Sequence, residues 1–283
     1  MANPFKILIP VDFSDATRKT IDFAAKFFSG DDAEITLMHV IYIPVIPGDT
    51  MMQYLDFKDY FEKNREVISK NLEGLAGDSM WGGKKINTAI SDAVDQGVGA
   101  MISAFAKEEE FDLVLMVAKQ KKGLDRIFLG TELFRALRHT SVPVLVLRAD
   151  QPFQALHRIA FAMDFSELSA AAYNETKKLA DFLGAEILCF VVNTLDDFMS
   201  DRDFIQRKSK FIEETGIVDS PEISLYTDYS LEEGVSNFVA QNQADLLAIT
   251  SHARKGISYL LAGSAAEEII KGTQVPFLYV PKR

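Results

Sequence analysis

The stretch TSHARKGISYLLAGSAAEEI, residues 250–269, has the composition of a loop that holds a phosphate. It combines small residues, a basic turn and the step Gly263-Ser264, which would open a helix. The N-terminus of a helix suits an anion because its backbone N–H groups are unpaired and carry partial positive charge. Ser264 and Glu267 also form a capping box, in which Ser264 would cap its own helix and touch no ligand. Both roles of Ser264 stay open.

The positions of these residues follow from an internal repeat. Asp12-Phe13-Ser14 recurs as Asp164-Phe165-Ser166, an offset of 164 − 12 = 152, whereas Asp112-Leu113 recurs as Asp245-Leu246, an offset of 245 − 112 = 133. The second half therefore lacks 152 − 133 = 19 residues in its middle. We predict two domains, residues 1–149 and residues 153–283, joined at the short segment RADQPFQ.

Each half alternates short apolar runs with helical patterns, which predicts an α/β fold with a doubly wound, Rossmann-like parallel sheet. The runs predicted as strands in the first half are Ile7–Val11, Ile35–Ile41, Leu113–Val117 and Val142–Leu147. Ser14 and Ser166 lie where helix N-caps are expected. Ligands of such sheets bind at the C-terminal ends of the strands, where Asp12 and Asp164 lie. An Asp at this position either meets a ligand or caps the following helix, and both roles stay open.

The first half has an insertion in which residues 57–75 are predicted to form an amphipathic helix. Met51, Met52, Tyr54 and Trp81 around it would either line a pocket or partner surface or cover the sheet. We expect the second role for them, because it is the common one for such residues.

Composition narrows the possible functions. The formal net charge of −11 disfavours binding to nucleic acid, whose phosphates an acidic protein repels. The single cysteine, Cys189, cannot form an internal disulfide, and we expect a small buried side chain there. No signal peptide or apolar membrane span is recognisable, so we expect a cytoplasmic protein that does not enter the membrane. Neither H-x-x-x-H nor C-x-x-C spacing occurs, and no metal is predicted.

A strand that ends in Val-Asp-Phe-Ser, a second that ends near His-Val and a late loop before VPVLVL together resemble the universal stress protein family, in two tandem copies. The resemblance implies a five-stranded parallel sheet of order 3-2-1-4-5 in each half, a role in stress response, and ATP or AMP bound under the late loop. It implies that the Asp after the first strand and the end of the second strand hold the adenosine. The implied nucleotide-binding residues in the first half are Asp12, Val40, Gly130 and Thr131; those in the second are Asp164, Val191, Thr250, His252, Ala253, Arg254, Gly263 and Ser264.

The chain departs from the family's ATP-binding pattern, which is G-x-x-G, nine residues, then G-[ST]. Val117 and Gln120 replace the first two glycines in the first half, and Thr250 and Ala253 replace them in the second. A side chain where phosphate should approach backbone costs roughly 1–3 kcal/mol, or about one to two orders of magnitude in affinity. The residues in the first half are larger or more apolar, so we expect nucleotide, bound weakly, in the second half.

Three functions compete. The first is a non-catalytic stress protein that binds an adenine nucleotide. The second is a nucleotide-free interaction protein acting through dimer or partner contacts, since VPVLVL and VPFLYV resemble the strands through which family members pair. These strands predict an internal pseudo-dimer of the two halves and allow a homodimer. The third, an enzyme of the wider nucleotide-binding superfamily, lacks the early signatures H-I-G-H and S-G-G-x-D-S, so at most slow, incidental ATP hydrolysis is expected.

Overall fold

The computed structural model shows a chain that divides into two compact units. Unit 1 comprises Met1–Val117 with Gly130–Val142, and unit 2 comprises Ala118–Leu129 with Pro143–Arg283. The structure describes residues 3–28, 30, 32–43, 51–94, 97–120, 127–128, 131–149, 154–215, 222–250, 269 and 272–281, and side chains are not described for residues 51–61, 94, 119–120, 127–128 and 214–215.

Helices and strands alternate along both halves. In the first half they are β1 (Phe5–Pro10), α1 (Asp15–Phe27), β2 (Ala33–Ile43), α2 (Met51–Ala76), a 3-10 helix (Ser79–Trp81), β3 (Asn87–Val94), α3 (Val98–Glu108), β4 (Leu113–Gln120), β5 (Ile127–Phe128), α4 (Thr131–His139) and β6 (Val144–Arg148). In the second half they are β7 (Arg158–Ala162), α5 (Glu167–Leu183), β8 (Glu186–Asn193), α6 (Asp201–Thr215), β9 (Ile223–Thr227), α7 (Leu231–Gln241), β10 (Leu246–Thr250) and β11 (Phe277–Val280).

Parallel pairing gives the second half the full predicted strand order and the first half the first four strands of it. In the first half the order is β3-β2-β1-β4, and in the second it is β9-β8-β7-β10-β11, which is the full order 3-2-1-4-5. The central strands are covered on both faces, so Ile7, Leu8 and Ile9 of β1 have no exposed surface. Continuous apolar runs are typical of such doubly covered strands. The α/β, Rossmann-like fold is confirmed.

Strand β6 belongs to unit 2, although it lies in the first half of the sequence. It pairs antiparallel with β11, and the registered partners are Val144 with Tyr279, Leu145 with Leu278 and Val146 with Phe277. On its other side, the Ala149 amide donates to the carbonyl of Ala118 over 3.2 Å. These two strands are the ones that the sequence indicated for pairing.

The insertion contains the predicted helix, which is longer than the sequence indicated. Helix α2 runs over Met51–Ala76, longer than the predicted 57–75. The Trp81 side chain is 2% exposed, and its indole N–H donates to the Leu75 carbonyl over 2.9 Å. Trp81 is therefore a buried packing residue. The side chains of Met51, Met52 and Tyr54 lie outside the described part of the structure. Among the helices that the structure describes, none has the length and apolarity required to cross a bilayer.

Candidate functional site

The turn after β1 is organised by one carboxylate oxygen. Oδ1 of Asp12 accepts hydrogen bonds from the backbone N–H of Ser14 (3.0 Å), from its hydroxyl (2.5 Å) and from the Thr17 hydroxyl. Ser14 is the N-cap of α1, as predicted, and its hydroxyl accepts from the Thr17 amide. Asp12 thus supports the cap of the helix that follows it. The intervening Phe13 has φ 56°, in the left-handed region.

The turn after β7 repeats this arrangement in unit 2. Oδ1 of Asp164 accepts from the Ser166 amide (3.1 Å), the Ser166 hydroxyl (2.6 Å) and the Ser169 hydroxyl (2.7 Å). Ser166 is the N-cap of α5, and Phe165 has φ 59°. Thr17 and Ser169 occupy equivalent positions in the two turns. Sequence reasoning missed these two residues. The spacing D-x-S-x-x-[ST], present twice, is the signal that could have revealed them.

The two turns differ in what their phenylalanines contact. The Phe13 ring packs against His39, with centroids 5.1 Å apart, and remains 41% exposed. The Phe165 ring packs against Phe204 and Phe211 of α6, each 5.7 Å away. Because α6 lies over the turn, Phe165 is only partly exposed.

The pairing of β2 and β8 with their neighbours shows which residues of these two strands are equivalent in the two halves. Ile9 pairs with Leu37 in one half, and its counterpart Phe161 pairs with Cys189 in the other. Counting onward, His39 corresponds to Val191, and Val40 corresponds to Val192. The side chains of Val40 and Val191 are both buried, 8% and 6% exposed. His39 has a structural contact of its own, since its Nδ1–H donates to the Val11 carbonyl over 2.7 Å.

In unit 2, Thr250 is the last residue of β10, the strand next to β7, and Asp164 lies just beyond the end of β7. Ala248 of β10 pairs in parallel with Phe161 of β7, and from there the two chains run on to Thr250 and to Asp164 at the same edge of the sheet. The Thr250 side chain is 2% exposed. Asp164, Val191 and Thr250 therefore belong to the ends of three neighbouring parallel strands. Thr131 is placed separately, as the first residue of α4 in unit 1.

A carboxylate lies in the first turn of α4, where the resemblance places a phosphate in the first half. Oε2 of Glu132 accepts from the Gly99 amide over 2.8 Å, and Oε1 accepts from Arg135 over 2.9 Å. Sequence reasoning missed Glu132 because its partner Gly99 lies on another helix. By the offset of 133, the residue at this position in the second half is Ala265.

Several residues that were predicted to bind nucleotide lie outside the described part of the chain. They are Gly130, His252, Ala253, Arg254, Gly263 and Ser264. The late loop therefore remains a prediction from sequence.

The single cysteine is a buried hydrophobic residue. Burial raises the pKa of the Cys189 thiol from 9.0 to about 12, so the thiol is protonated at neutral pH. A protonated thiol is a poor nucleophile. Within the described residues, no three His, Cys, Asp or Glu side chains gather in a way that could hold a metal ion.

Comparison with known proteins assigns the chain to a family. A sequence model of the universal stress protein family matches residues 5–148 and again residues 155–281. The chain belongs to the universal stress protein family. Two successive matches show that it is a tandem member, and stress response is the role for which the family is named.

Individual universal stress proteins resemble either the whole chain or one half of it. One from Mycolicibacterium smegmatis is 25% identical over 301 aligned positions, which cover 100% of this chain and 99% of that protein. One from Methanocaldococcus jannaschii is 27% identical over 146 residues, which cover 50% of this chain and 81% of that protein. The crystal structure of one from Archaeoglobus fulgidus covers 98% of this chain and 96% of its own, with a TM-score of 0.62 and 17% identity, and supports the fold.

Proposed function

We propose that the protein is a non-catalytic stress-response protein whose second half binds an adenine nucleotide weakly, ATP or AMP. The nucleotide would lie at the C-terminal ends of β7, β8 and β10. Asp164 and the end of β8 would contact the adenosine, and the loop from Thr250 to Ser264 would contact the phosphates. Family membership supports this proposal in general, and the details rest on the residues of this chain.

The observation that carries the proposal is that β7 and β10 are neighbouring parallel strands, with Asp164 just beyond the end of β7 and Thr250 as the last residue of β10. The phosphate loop would therefore begin at the same sheet edge as the proposed adenosine carboxylate. In doubly wound sheets, ligands occupy this edge of the sheet. Gly263-Ser264 would then supply backbone N–H groups to the phosphates.

The first half is the poorer candidate because of Glu132. Its carboxylate lies in the first turn of α4, directly after Thr131, and is already bonded to the Gly99 amide. A negative charge directly after Thr131 opposes the binding of a phosphate at this helix N-terminus. In the second half the matching residue is Ala265, and the carboxylate of the capping box, Glu267, comes two residues later. Val117 and Gln120 add bulk in the first half as well.

The proposal includes no catalytic residue and no metal. A slow hydrolysis of bound ATP would be incidental to the binding. We also propose that the pairing of β6 with β11 serves as the strand contact of an internal pseudo-dimer.

The decisive experiment identifies what the protein carries. Protein purified without added nucleotide is denatured, and any released small molecule is identified by mass spectrometry; the same preparation is titrated calorimetrically with ATP and with AMP. We expect about one nucleotide per chain, or weak binding in the titration. The proposal is contradicted if no nucleotide is released and no binding is detected in the titration.

Two matched variants assign the site. Asp164→Asn and Asp12→Asn weaken the same kind of helix cap, so their structural effects are similar. Only Asp164→Asn should weaken nucleotide binding. The dissociation constant should rise about tenfold for each ~1.4 kcal/mol of interaction that is lost. Equal effects of the two variants would show that the carboxylates act only as caps.

A further inference from the structure

Unit 2 exposes three large apolar side chains on two adjacent loops. Leu195 is 82% exposed and Phe198 is 71% exposed on the loop after β8, and Tyr229 is 84% exposed on the loop after β9. We call these three residues the Leu195 patch. Single exposed apolar side chains are common on protein surfaces, whereas a group of them marks an interaction site.

The patch stands on a rigid support. The side chain of Asn193 at the end of β8 is 4% exposed and clamps the loop: its Oδ1 accepts from the Met199 amide over 2.6 Å, and its Nδ2 donates to the Met199 carbonyl over 3.1 Å. Met199 is itself buried, 7% exposed. The residue after Phe198 is therefore fixed to the sheet, and Phe198 is held outward.

The same asparagine joins the second loop to the first. The Asp228 amide donates to the Asn193 carbonyl over 3.1 Å, and Asn193 Nδ2 lies 3.4 Å from the Thr227 hydroxyl. Tyr229 follows directly, so the loops that carry the patch begin side by side. A surface fixed in this way loses little conformational entropy when a partner binds.

Acidic residues predominate in the two chain segments that carry the patch, and we call them the acidic rim. Residues 194–203 and 228–233 contain seven acidic side chains against one basic side chain, Arg202, a formal charge of 1 − 7 = −6. The seven are Asp196, Asp197, Asp201, Asp203, Asp228, Glu232 and Glu233. A hydrogen bond from the Ser200 hydroxyl lowers the pKa of Asp203, and Arg207 and Arg202 lower it further. Asp203 therefore remains ionised at neutral pH.

We propose that the Leu195 patch is a docking surface for a basic amphipathic segment of a partner protein. The apolar side chains of the segment would cover Leu195, Phe198 and Tyr229, and its Lys or Arg side chains would meet the acidic rim. Charge selects this occupant: a second copy of the chain, with a net charge of −11, would bring like charges to the rim. An apolar centre within a charged rim is also the usual anatomy of a protein interface.

The test uses a synthetic probe. An 18-residue fluorescent peptide with leucines on one helical face and lysines on the other is titrated with the full chain and followed by anisotropy; a Leu/Glu peptide of the same pattern is the charge control. We expect the Leu/Lys peptide to bind and its affinity to fall with added salt. The triple variant Leu195→Ser, Phe198→Ser, Tyr229→Ser should bind at least ten times more weakly.

Val67→Ser is the matched control, since Val67 is 58% exposed in unit 1 and should leave peptide binding unchanged. All substituted side chains are exposed, and circular dichroism verifies that the variants fold. The proposal is overturned if the Leu/Lys peptide does not bind, if the Leu/Glu peptide binds equally well, or if the triple variant binds like the parent. Self-association in sedimentation equilibrium that the triple variant abolishes would assign the patch to a homodimer instead.

Discussion

Phe13 and Phe165 occupy the same left-handed backbone conformation in the two repeats, with φ 56° and 59°, but contact different surroundings. A non-glycine residue in this region costs roughly 1–2 kcal/mol. In both turns the conformation directs the preceding Asp toward the cap of the next helix. The two repeats therefore share the backbone conformation of this turn, whereas the contacts of the phenylalanine ring differ between the two halves.

Replacing each phenylalanine with glycine should separate these two contributions. Phe13→Gly relieves the backbone and loses only a half-exposed ring, so the free energy of unfolding should change by less than about 0.5 kcal/mol. Phe165→Gly also loses the packing against Phe204 and Phe211 and should destabilise by about 2 kcal/mol. Urea unfolding followed by circular dichroism measures both. A loss for Phe13→Gly as large as that for Phe165→Gly would refute the distinction.

Gly99 is required for the close approach of α3 and α4. A Cβ atom there would overlap the carbonyl oxygen of Glu132 and would lie 2.7 Å from the backbone nitrogen of Ala136. Since neither atom can move without the helix, Gly99→Ala should destabilise unit 1 by about 3 kcal/mol.

Gly74 is the matched control, because nothing lies within 4 Å of a Cβ added at that position of α2. Gly74→Ala should stabilise by about 0.5–1 kcal/mol through helix propensity alone. The fluorescence of Trp81, the single tryptophan, reports on unit 1 in both variants. If both substitutions shifted the urea midpoint in the same direction, the steric argument would be wrong.

Restoring glycine in the second half should strengthen nucleotide binding. The double variant Thr250→Gly, Ala253→Gly removes side chains from the proposed phosphate approach, and we expect ATP affinity to rise about tenfold or more in calorimetric titration. Val117→Gly with Gln120→Gly is the control in the first half, where Glu132 should still prevent a gain. An unchanged affinity in the second-half variant would rule out the steric explanation for weak binding.

The buried thiol should make stability depend on alkaline pH. The folded chain holds the Cys189 proton more tightly than the unfolded chain, since its pKa is raised from 9.0 to about 12. The associated stability is therefore fully present below pH 9 and is lost as the pH rises towards 12, with a limiting slope of ~1.4 kcal/mol per pH unit. Urea unfolding at pH 8 and pH 10 should show a steeper loss for the parent than for Cys189→Ala. Parallel losses would indicate that the thiol ionises without a burial penalty.

Much of the fold was predictable because the repeat supplied it twice. The buried strands β1 and β7 are continuous apolar runs, and Ser14 and Ser166 are the N-caps that the sequence indicated. The sequence does not delimit the edge strands β3 and β9. Their side chains are largely half-exposed and mix polar with apolar residues, as in NTAISDAV, which gives no clear apolar run.

The candidate site was less predictable for two physical reasons. The run EILCFVVN is apolar almost throughout, so nothing in it fixes the register, and only the strand pairing shows that Val192 is the counterpart of Val40 and Val191 that of His39. The contact between Glu132 and Gly99 joins two helices across 33 residues of chain, which no local pattern encodes. Nucleotide binding by the late loop stays a prediction.

The pairing of β6 with β11 has a consequence for the order in which the protein is made. Val146 and Phe277 are partners in this ladder although 277 − 146 = 131 residues separate them. During synthesis, β6 is translated long before its partner and must wait with one edge uncovered, which is a hazard for aggregation. Such long-range pairing also slows folding. We therefore expect unit 2 to complete its folding only after β11 has left the ribosome, with chaperones protecting the waiting edge until then.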